Sequence, residues 1–171
     1  GFYYNVINLL EKCKPESVII VWEGGGSKRK RDLYPDYKKG RKPARMNRYY
    51  DKSEIPDTLE NRNFQITTLI GMLSNLPICQ VYVQDAEADD AIGIWQTSHD
   101  DCIIVSPDKD MRQIPGRLYD LKEHTEISEV EGWQWFLIQT LAVDSTDGYS
   151  GAPGFGVKTS SKFFGEHGYT W

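Results

Sequence analysis

The sequence predicts an α/β fold: a mostly parallel central sheet with helices on both faces. Two observations predict it. Apolar runs of strand length ("SVIIVW", "ICQVYV", "DCIIV") alternate with segments whose apolar residues recur at helical spacing. Acidic residues follow each of these runs, as expected where a parallel sheet gathers its ligands at the carboxyl ends of its strands.

The elements follow in order. Tyr3, Val6, Ile7 and Leu10 give residues 3–13 a helical spacing, and Pro15 closes that helix. The chain opens on "GFYYNVINLL" without a Met, as if inside an amphipathic helix, so sequence upstream is expected. "SVIIVW" reads as a buried strand. "EGGGSKRKRDLYPDYKKGRKPARMNRYYDKS" has no apolar period and reads as a long mobile segment, which in a compact domain is functional or disordered. Leu59, Phe64, Ile66, Leu69, Ile70, Leu73 and Leu76 restore the helical spacing over 57–76, and Pro77 stops it. "ICQVYV" is the next strand, "EADDAIGIWQTS" the next helix, and "DCIIV" a strand ending at "SPDKDMRQI". "RLYDL" reads as a fourth strand and "EVEGWQWFLIQTLA" as a helix. The tail, rich in Gly and Ser, holds one further helix after Pro153.

With 171 residues, 39% of them apolar, the chain can build one domain with a real core and a small appendage. Cys13, Cys79 and Cys102 form no C-x-x-C pair, and His99, His124 and His167 lack ligand spacing, which points to a reducing compartment and no zinc site. No apolar stretch reaches membrane-spanning length and no signal peptide is expected, so the expected location is the cytoplasm and no membrane partner is expected. The charge is uneven. Residues 28–48 hold ten Lys/Arg and two acids, a net +8 in a chain of net −5, leaving −13 on the rest. A basic stretch beside acidic clusters suggests a polyanion held next to a metal site, the plain alternative being a solvated basic loop.

Glu23 ends the first run; Glu87, Asp89 and Asp90 follow the second within "DAEADD"; Asp108 and Asp110 follow the third; Asp144 and Asp147 flank "ST". Carboxylates this close raise one another's pKa, so something must offset their repulsion. All-oxygen donors suit Mg²⁺ or Mn²⁺, and a pair of such ions can activate water and stabilise both oxygens of a phosphodiester exchange. Each piece also has a plain reading. "EADD" suits the acid-favouring first turn of a helix, "DKD" is a common surface triplet, and "DSTD" could be a capping turn. Their order and placement after successive strands carry the specificity.

"GAPGFGVKTS" superficially matches a phosphate-binding P-loop, but Val157 separates Gly156 from Lys158 and no buried strand precedes it. A glycine hairpin before a helix, offering backbone N–H groups to a DNA phosphate, fits better. Trp133, Trp135 and Phe136 read as core rather than as a base-stacking platform.

"EADDAIG", "SPDKDMRQI" and "DSTDGYSGAPGFGVKTS", in this order, resemble the 5′-nuclease superfamily: flap endonucleases, the 5′-nuclease domain of bacterial DNA polymerase I, and phage 5′–3′ exonucleases. "WEGGGSKRKRDLYPDYKKGRK" is similar to the same family's phosphate-binding approach, and "TDGYSG" looks most like the phage branch. The resemblance covers roughly residues 18–165.

It implies a PIN-like, three-layer catalytic domain over 1–142, with an arch at about 28–56. The start of a truncated helix–hairpin–helix-type DNA-binding element would span 143–171. It implies two Mg²⁺ or Mn²⁺ sites, with Glu87, Asp89 and Asp90 in a first acidic cluster, Asp108 and Asp110 in a second, and Asp144 and Asp147 in a third. Glu23 stands where the family has Asp, and Val143 where it has Gly. Lys38 and Arg41 match basic residues that contact the reacting phosphate; Lys30 sits where Arg is common and lacks its bidentate geometry. Lys28, Arg29, Arg31, Gly151, Gly154, Gly156, Lys158 and Thr159 fall at DNA-binding positions, and the hairpin Gly148–Gly156 is where the family often holds K⁺. The family's first catalytic Asp ends a strand upstream of everything here, since no Asp precedes Asp32. An internal fragment of a longer nuclease is therefore expected.

The activity implied is metal-dependent 5′-nuclease cleavage of DNA with 5′ ends, flaps or RNA primers, in the host cytoplasm if phage-encoded. A DNA-binding fragment without turnover is the rival, because the first catalytic strand is missing. A Mg²⁺ phosphotransferase of the haloacid-dehalogenase type would need D-x-D-x-T after its first strand, and none occurs.

Overall fold

A computed structural model describes residues 1–39, 58–99 and 101–170. It divides into two compact units, Gly1–Trp22 with Lys42–Tyr82 and Glu23–Arg41 with Val83–Trp171. The α/β reading holds; among the described residues the strands form a two-stranded and a three-stranded sheet.

In the first unit, helix α1 (Phe2–Cys13) buries Val6 and stops where Lys14 turns left-handed (φ 43°), its N–H bonding the Leu10 carbonyl. Strand β1 (Ile19–Gly24) leaves this unit, and helix α3 (Leu59–Leu73) lies within it. Thr58 caps α3 by accepting the Asn61 N–H at 3.2 Å, and Leu73 at its end is fully buried. Strand β2 (Cys79–Gln84) pairs with β1 in a two-stranded sheet. Trp22 Nε1 donates to Gln80 Oε1 at 3.0 Å, tying the two strands by side chain as well.

The second unit carries helix α2 (Lys28–Leu33), helix α4 (Ala88–Ser98), strand β3 (Ile103–Val105), a 3₁₀ turn over Lys109–Gln113, strands β4 (Gly116–Tyr119) and β5 (His124–Ile127), and helices α5 (Glu129–Leu141) and α6 (Val157–His167). The sheet order is β3-β4-β5. β3 and β4 run parallel with Ile104 beside Leu118, whereas β5 returns antiparallel with Ile127 beside Gly116. Ile104, Met111, Leu118 and Ile127 form one core, with Ile92 and Ile114 packed against it. Leu137, Ile138 and Phe164 form another, which joins α5 to α6.

Three elements differ from the sequence reading. β5 exposes His124, Thr125 and Glu126 and buries only Ile127, so it carries no apolar run to announce it. α2 lies in the basic segment read as structureless; its stop-start signal is local, Ser27 accepting the Lys30 N–H at 3.1 Å as N-cap. The 3₁₀ turn is set by Asp108, whose Oδ1 accepts the Asp110 N–H at 3.0 Å. Trp133, expected in the core, is 46% exposed.

The connection from α5 to α6 is folded tightly. Asp144 and Tyr149 exchange two backbone hydrogen bonds of 2.8 Å, and Ala152 N–H reaches the Leu141 carbonyl at 2.9 Å. Gly151 takes φ 61° there, and a Cβ on it would lie 2.6 Å from both Leu141 O and Val143 N. Gly151→Ala is therefore expected to cost about 2–3 kcal/mol, since strain and backbone overlap act together. Gly154→Ala, with φ 83° and open space around it, should cost about 1 kcal/mol from the left-handed backbone alone. Urea unfolding of both variants tests the ranking, and equal losses would mean the overlap at Gly151 relaxes freely.

Candidate active site

The "DAEADD" stretch owes its shape to two local events. Asp85, directly after β2, adopts φ 56°, a left-handed conformation that Asp tolerates better than most residues, and the chain reverses. Glu87 then becomes the N-cap of α4, its backbone N–H donating to Asp90 Oδ2 at 3.3 Å. Asp89 and Asp90 occupy the first turn, where the helix dipole favours negative charge. The helix-start reading and the metal reading thus coexist. Glu87, Asp89 and Asp90 each offer one oxygen, all within 4.8 Å of one another, and this is the grouping among the described residues that could hold an ion. Three carboxylates and no softer donor fit a hard divalent cation.

Glu87 is 1% exposed, which an unpaired carboxylate would not tolerate. It has three partners: Lys30 Nζ at 2.7 Å and the Tyr37 hydroxyl at 2.8 Å on Oε2, and Lys38 Nζ at 2.5 Å on Oε1. Burial pushes the Glu87 carboxyl up, but the hydrogen bonds from Lys30, Lys38 and Tyr37 outweigh it and hold the pKa at about 2. The repulsion expected to need a metal is thus offset at Glu87 by the chain's own ammonium groups. Asp89 is different. Burial, with Glu87 and Asp90 close by, raises its pKa despite Lys30.

Lys30 and Lys38 come from separate pieces of the basic segment. Lys30 sits on α2. Lys38 lies within a turn over 35–39 in the left-handed region (φ 55°); its N–H meets the Asp147 carbonyl at 2.9 Å while its side chain reaches Glu87. Tyr34 adds a hydrogen bond from its hydroxyl to the Gly148 carbonyl at 3.1 Å. Tyr37 lies between the two lysines, with their ammonium nitrogens 5.9 and 5.1 Å from its ring centre. Its hydroxyl also reaches Asp147 Oδ2 at 3.3 Å. Burial and both carboxylates keep that phenol protonated.

The remaining acids are held one by one. Asp147 stands 3.9 Å from Lys38 Nζ, and burial with Asp144 and Glu87 nearby raises its pKa. Asp144 pairs with Lys109 Nζ at 2.7 Å; burial opposes ionisation, but that hydrogen bond prevails and lowers its pKa. Asp110 Oδ1 accepts from Gln139 Nε2 at 2.5 Å. Asp108 spends Oδ1 on its own turn. Glu23 Oε2 accepts the Ala88 N–H at 3.3 Å, a backbone contact at the start of α4. Glu23, Asp108, Asp110, Asp144 and Asp147 thus lie outside the three-carboxylate grouping.

Of the expected DNA contacts, Lys28 pairs with Asp32 at 2.6 Å and Arg31 with the Gly25 carbonyl at 2.6 Å, while Arg29 is exposed. Lys158 and Thr159 open α6, exposed; the Gly156 N–H, expected to face a phosphate, donates to Thr159 Oγ1 at 2.7 Å. Arg41 and most of the arch segment 28–56 lie outside the described residues. Sequence reading missed Tyr37, Lys109 and Gln139. An aromatic residue inside a charged, period-free run was the one signal for Tyr37.

Glu87 links the site to acid stability. Its folded pKa of about 2 lies below the ordinary 4.5, so its contribution is full above about pH 4.5 and lost as pH falls toward 2. Glu87→Gln should flatten the pH dependence of unfolding between pH 5 and 2, measured by urea titration, whereas the parent protein should lose stability steadily across that window.

The family profile described as "5′-3′ exonuclease, N-terminal resolvase-like domain" matches residues 1–134. A flap endonuclease Xni from Shewanella woodyi is 31% identical over 169 residues, covering 90% of this chain and 61% of its own. That of Shewanella denitrificans is 29% identical over 170 residues, with the same coverages. The chain thus spans about three-fifths of the curated relatives it matches. Among solved structures, zinc-bound T5 5′-exonuclease superposes with a TM-score of 0.71 at 16% identity, over 98% of this chain and 66% of that one. The bacteriophage T5 D15 flap endonuclease in a pseudo-enzyme–product complex with DNA and metal ions gives 0.70 at 16% identity, over 96% and 65%. These likenesses establish the α/β fold. Among the described residues no helix is long and apolar enough to cross a membrane.

Proposed function

The chain belongs to the family of 5′–3′ exonuclease N-terminal, resolvase-like domains, and from that premise we propose that it is the catalytic part of a structure-specific 5′-nuclease. The reaction is hydrolysis of phosphodiesters at or near DNA 5′ ends, with flaps and RNA primers as substrates. The observation that carries it is the juxtaposition of a three-carboxylate grouping with two lysines, Lys30 and Lys38, on the same buried Glu87. Acids that hold divalent cations and bases that hold phosphate belong together where a phosphodiester is cut.

Glu87, Asp89 and Asp90 would hold one Mg²⁺ or Mn²⁺, and Asp108, Asp110, Asp144 and Asp147 would complete a second position; Glu23, bound to backbone, is a supporting group. When bound, such ions supply charge neutralisation and activation of water. The chain's own part is orientation. Lys30 and Lys38, released from Glu87, place their ammonium groups on the incoming phosphate, and Arg41 is assigned to the same phosphate from the sequence motif. Tyr37 keeps Glu87 and Asp147 in register as the lysines move. Lys28, Arg29, Arg31 and the element 143–171, with Gly151, Gly154, Gly156, Lys158 and Thr159, extend the DNA track, and the Gly148–Gly156 hairpin is the place for K⁺. The PIN-like catalytic domain spans 1–142, and the protein works in the cytoplasm.

A second reading, DNA binding without turnover, rests on the saturation of Glu87 by three partners. Incubation with 5′-labelled flap DNA in Mg²⁺, Mn²⁺ or EDTA separates the two. Metal-dependent release of short 5′ products supports the nuclease, and retained binding with no product in either metal favours the second reading. A weaker effect is expected from Lys38→Ala, which removes one phosphate contact. It should slow cleavage at least about tenfold and reduce the salt slope of DNA binding by about one charge. An unchanged rate would place the phosphate elsewhere.

A further inference from the structure

Helix α5 docks on the 3₁₀ turn that carries Asp108 and Asp110 through residues of one face. Gly132 comes so close that a Cβ would sit 2.7 Å from the Gln113 carbonyl oxygen. Trp135 Nε1 donates to the Lys109 carbonyl at 2.9 Å. Gln139 supplies the third anchor, and of the three it alone touches a carboxylate. Its Nε2 donates to Asp110 Oδ1 at 2.5 Å, while its Oε1 accepts from Gln113 Nε2 at 2.7 Å. These two contacts fix the amide. An ionised carboxylate only accepts, so Gln139 must turn its NH₂ to Asp110, and the oxygen then left over is the one Gln113 satisfies. Asp110 Oδ2 has no hydrogen bond among the described residues, and Asp110 is only partly exposed.

We propose that Gln139 is a positioning residue: through the Gln113–Gln139–Asp110 relay it holds one oxygen of Asp110 and leaves the other aimed for a divalent cation. The inference rests on the reading of Asp110 as a metal-holding residue, and it adds a supporting group that the sequence motifs do not contain. Outer partners of this kind fix ligand orientation, and their loss typically costs about 10- to 100-fold in metal affinity or activity. Gln113 is one step further out. Removing it leaves the Gln139–Asp110 bond in place but frees the amide to rotate, so its effect is smaller.

The test uses the complete protein with Gln139→Met, which keeps shape and drops both hydrogen bonds, alongside Gln113→Met and Asp110→Asn. Mn²⁺ binding is measured without DNA by the loss of the free-ion electron paramagnetic resonance signal, and cleavage is followed against Mn²⁺ concentration. Gln139→Met is expected to weaken Mn²⁺ binding about tenfold or more. It should raise the Mn²⁺ needed for half-maximal cleavage in parallel, recover most of kcat at saturating Mn²⁺, and leave KM for DNA unchanged. Gln113→Met should shift the same way by less. If Gln139→Met melts earlier yet binds Mn²⁺ as the parent does, Gln139 is only a packing contact and the proposal is overturned. If Asp110→Asn itself leaves Mn²⁺ binding unchanged, the reading of Asp110 fails, and the proposal falls with it by that separate route.

Discussion

Glu87→Ala lowers the unfolding free energy by about 3–5 kcal/mol, the largest stability loss expected of any substitution at the site. Removal of a buried carboxylate differs from loss of a surface ion pair, because its partners stay behind. Lys38, 23% exposed, and Lys30, 36% exposed, lose the charge they enclose, and the Tyr37 hydroxyl loses its nearer acceptor. The lysines can extend toward water, which places the effect toward the lower end of that range. What they cannot replace is the tie between the 35–39 turn, α2 and the start of α4, all of which meet at this one side chain. The measurement is urea unfolding at pH 7 with Glu87→Gln as the isostere. Gln can still accept from one lysine and so should lose less. A loss under about 1 kcal/mol for Glu87→Ala would mean that the three contacts contribute nothing net to folding.

The same side chain shows where the sequence was informative and where it was not. Apolar spacing announced α1 and α3, and the strand-length runs announced β1 to β4 with α4 and α5 between and after them, because a regular element repeats its pattern along the chain. Glu87, Asp89 and Asp90 were legible as a cluster because one helix start brings them together locally. The partners of Glu87 were not. Tyr37 and Lys38 are 50 and 49 residues away in sequence, and they arrive through a left-handed lysine that no propensity would place there. Gln139 was invisible for a similar reason: on a helix read for its apolar face, a glutamine gives no sign of the carboxylate beside it. Long-range polar contacts carry no period, so the acids could be named in advance but the groups that neutralise and orient them could not. Of the eight acids, Glu87, Asp89 and Asp90 form one compact grouping, Asp110 and Asp144 have donors of their own, and Asp147 shares Tyr37 with Glu87.

Asp89→Asn in the complete protein should reduce cleavage by about a thousandfold or more while leaving both the fold and DNA binding intact. The first half follows from the site: of the three oxygens that could share an ion, that of Asp89 has no lysine bonded to it. Loss of one carboxylate from such a set removes several kcal/mol of transition-state stabilisation, and about 4 kcal/mol is a thousandfold in rate. The second half follows from the raised pKa. Burial and the adjacent Glu87 and Asp90 disfavour the Asp89 charge and raise its pKa, so the group, when ionised, weakens the fold. Asn has nearly the same shape and no charge, so the melting temperature should stay level or rise, a trade of stability against activity common at catalytic sites. DNA affinity depends mainly on Lys and Arg contacts to phosphate and should hold when measured in Ca²⁺. Three measurements decide it: cleavage in Mg²⁺, binding in Ca²⁺, and thermal unfolding of the same preparation. Turnover within about tenfold of the parent would remove Asp89 from the metal site. A lower melting temperature would show that its charge is satisfied in the fold, contrary to the burial and crowding seen around it.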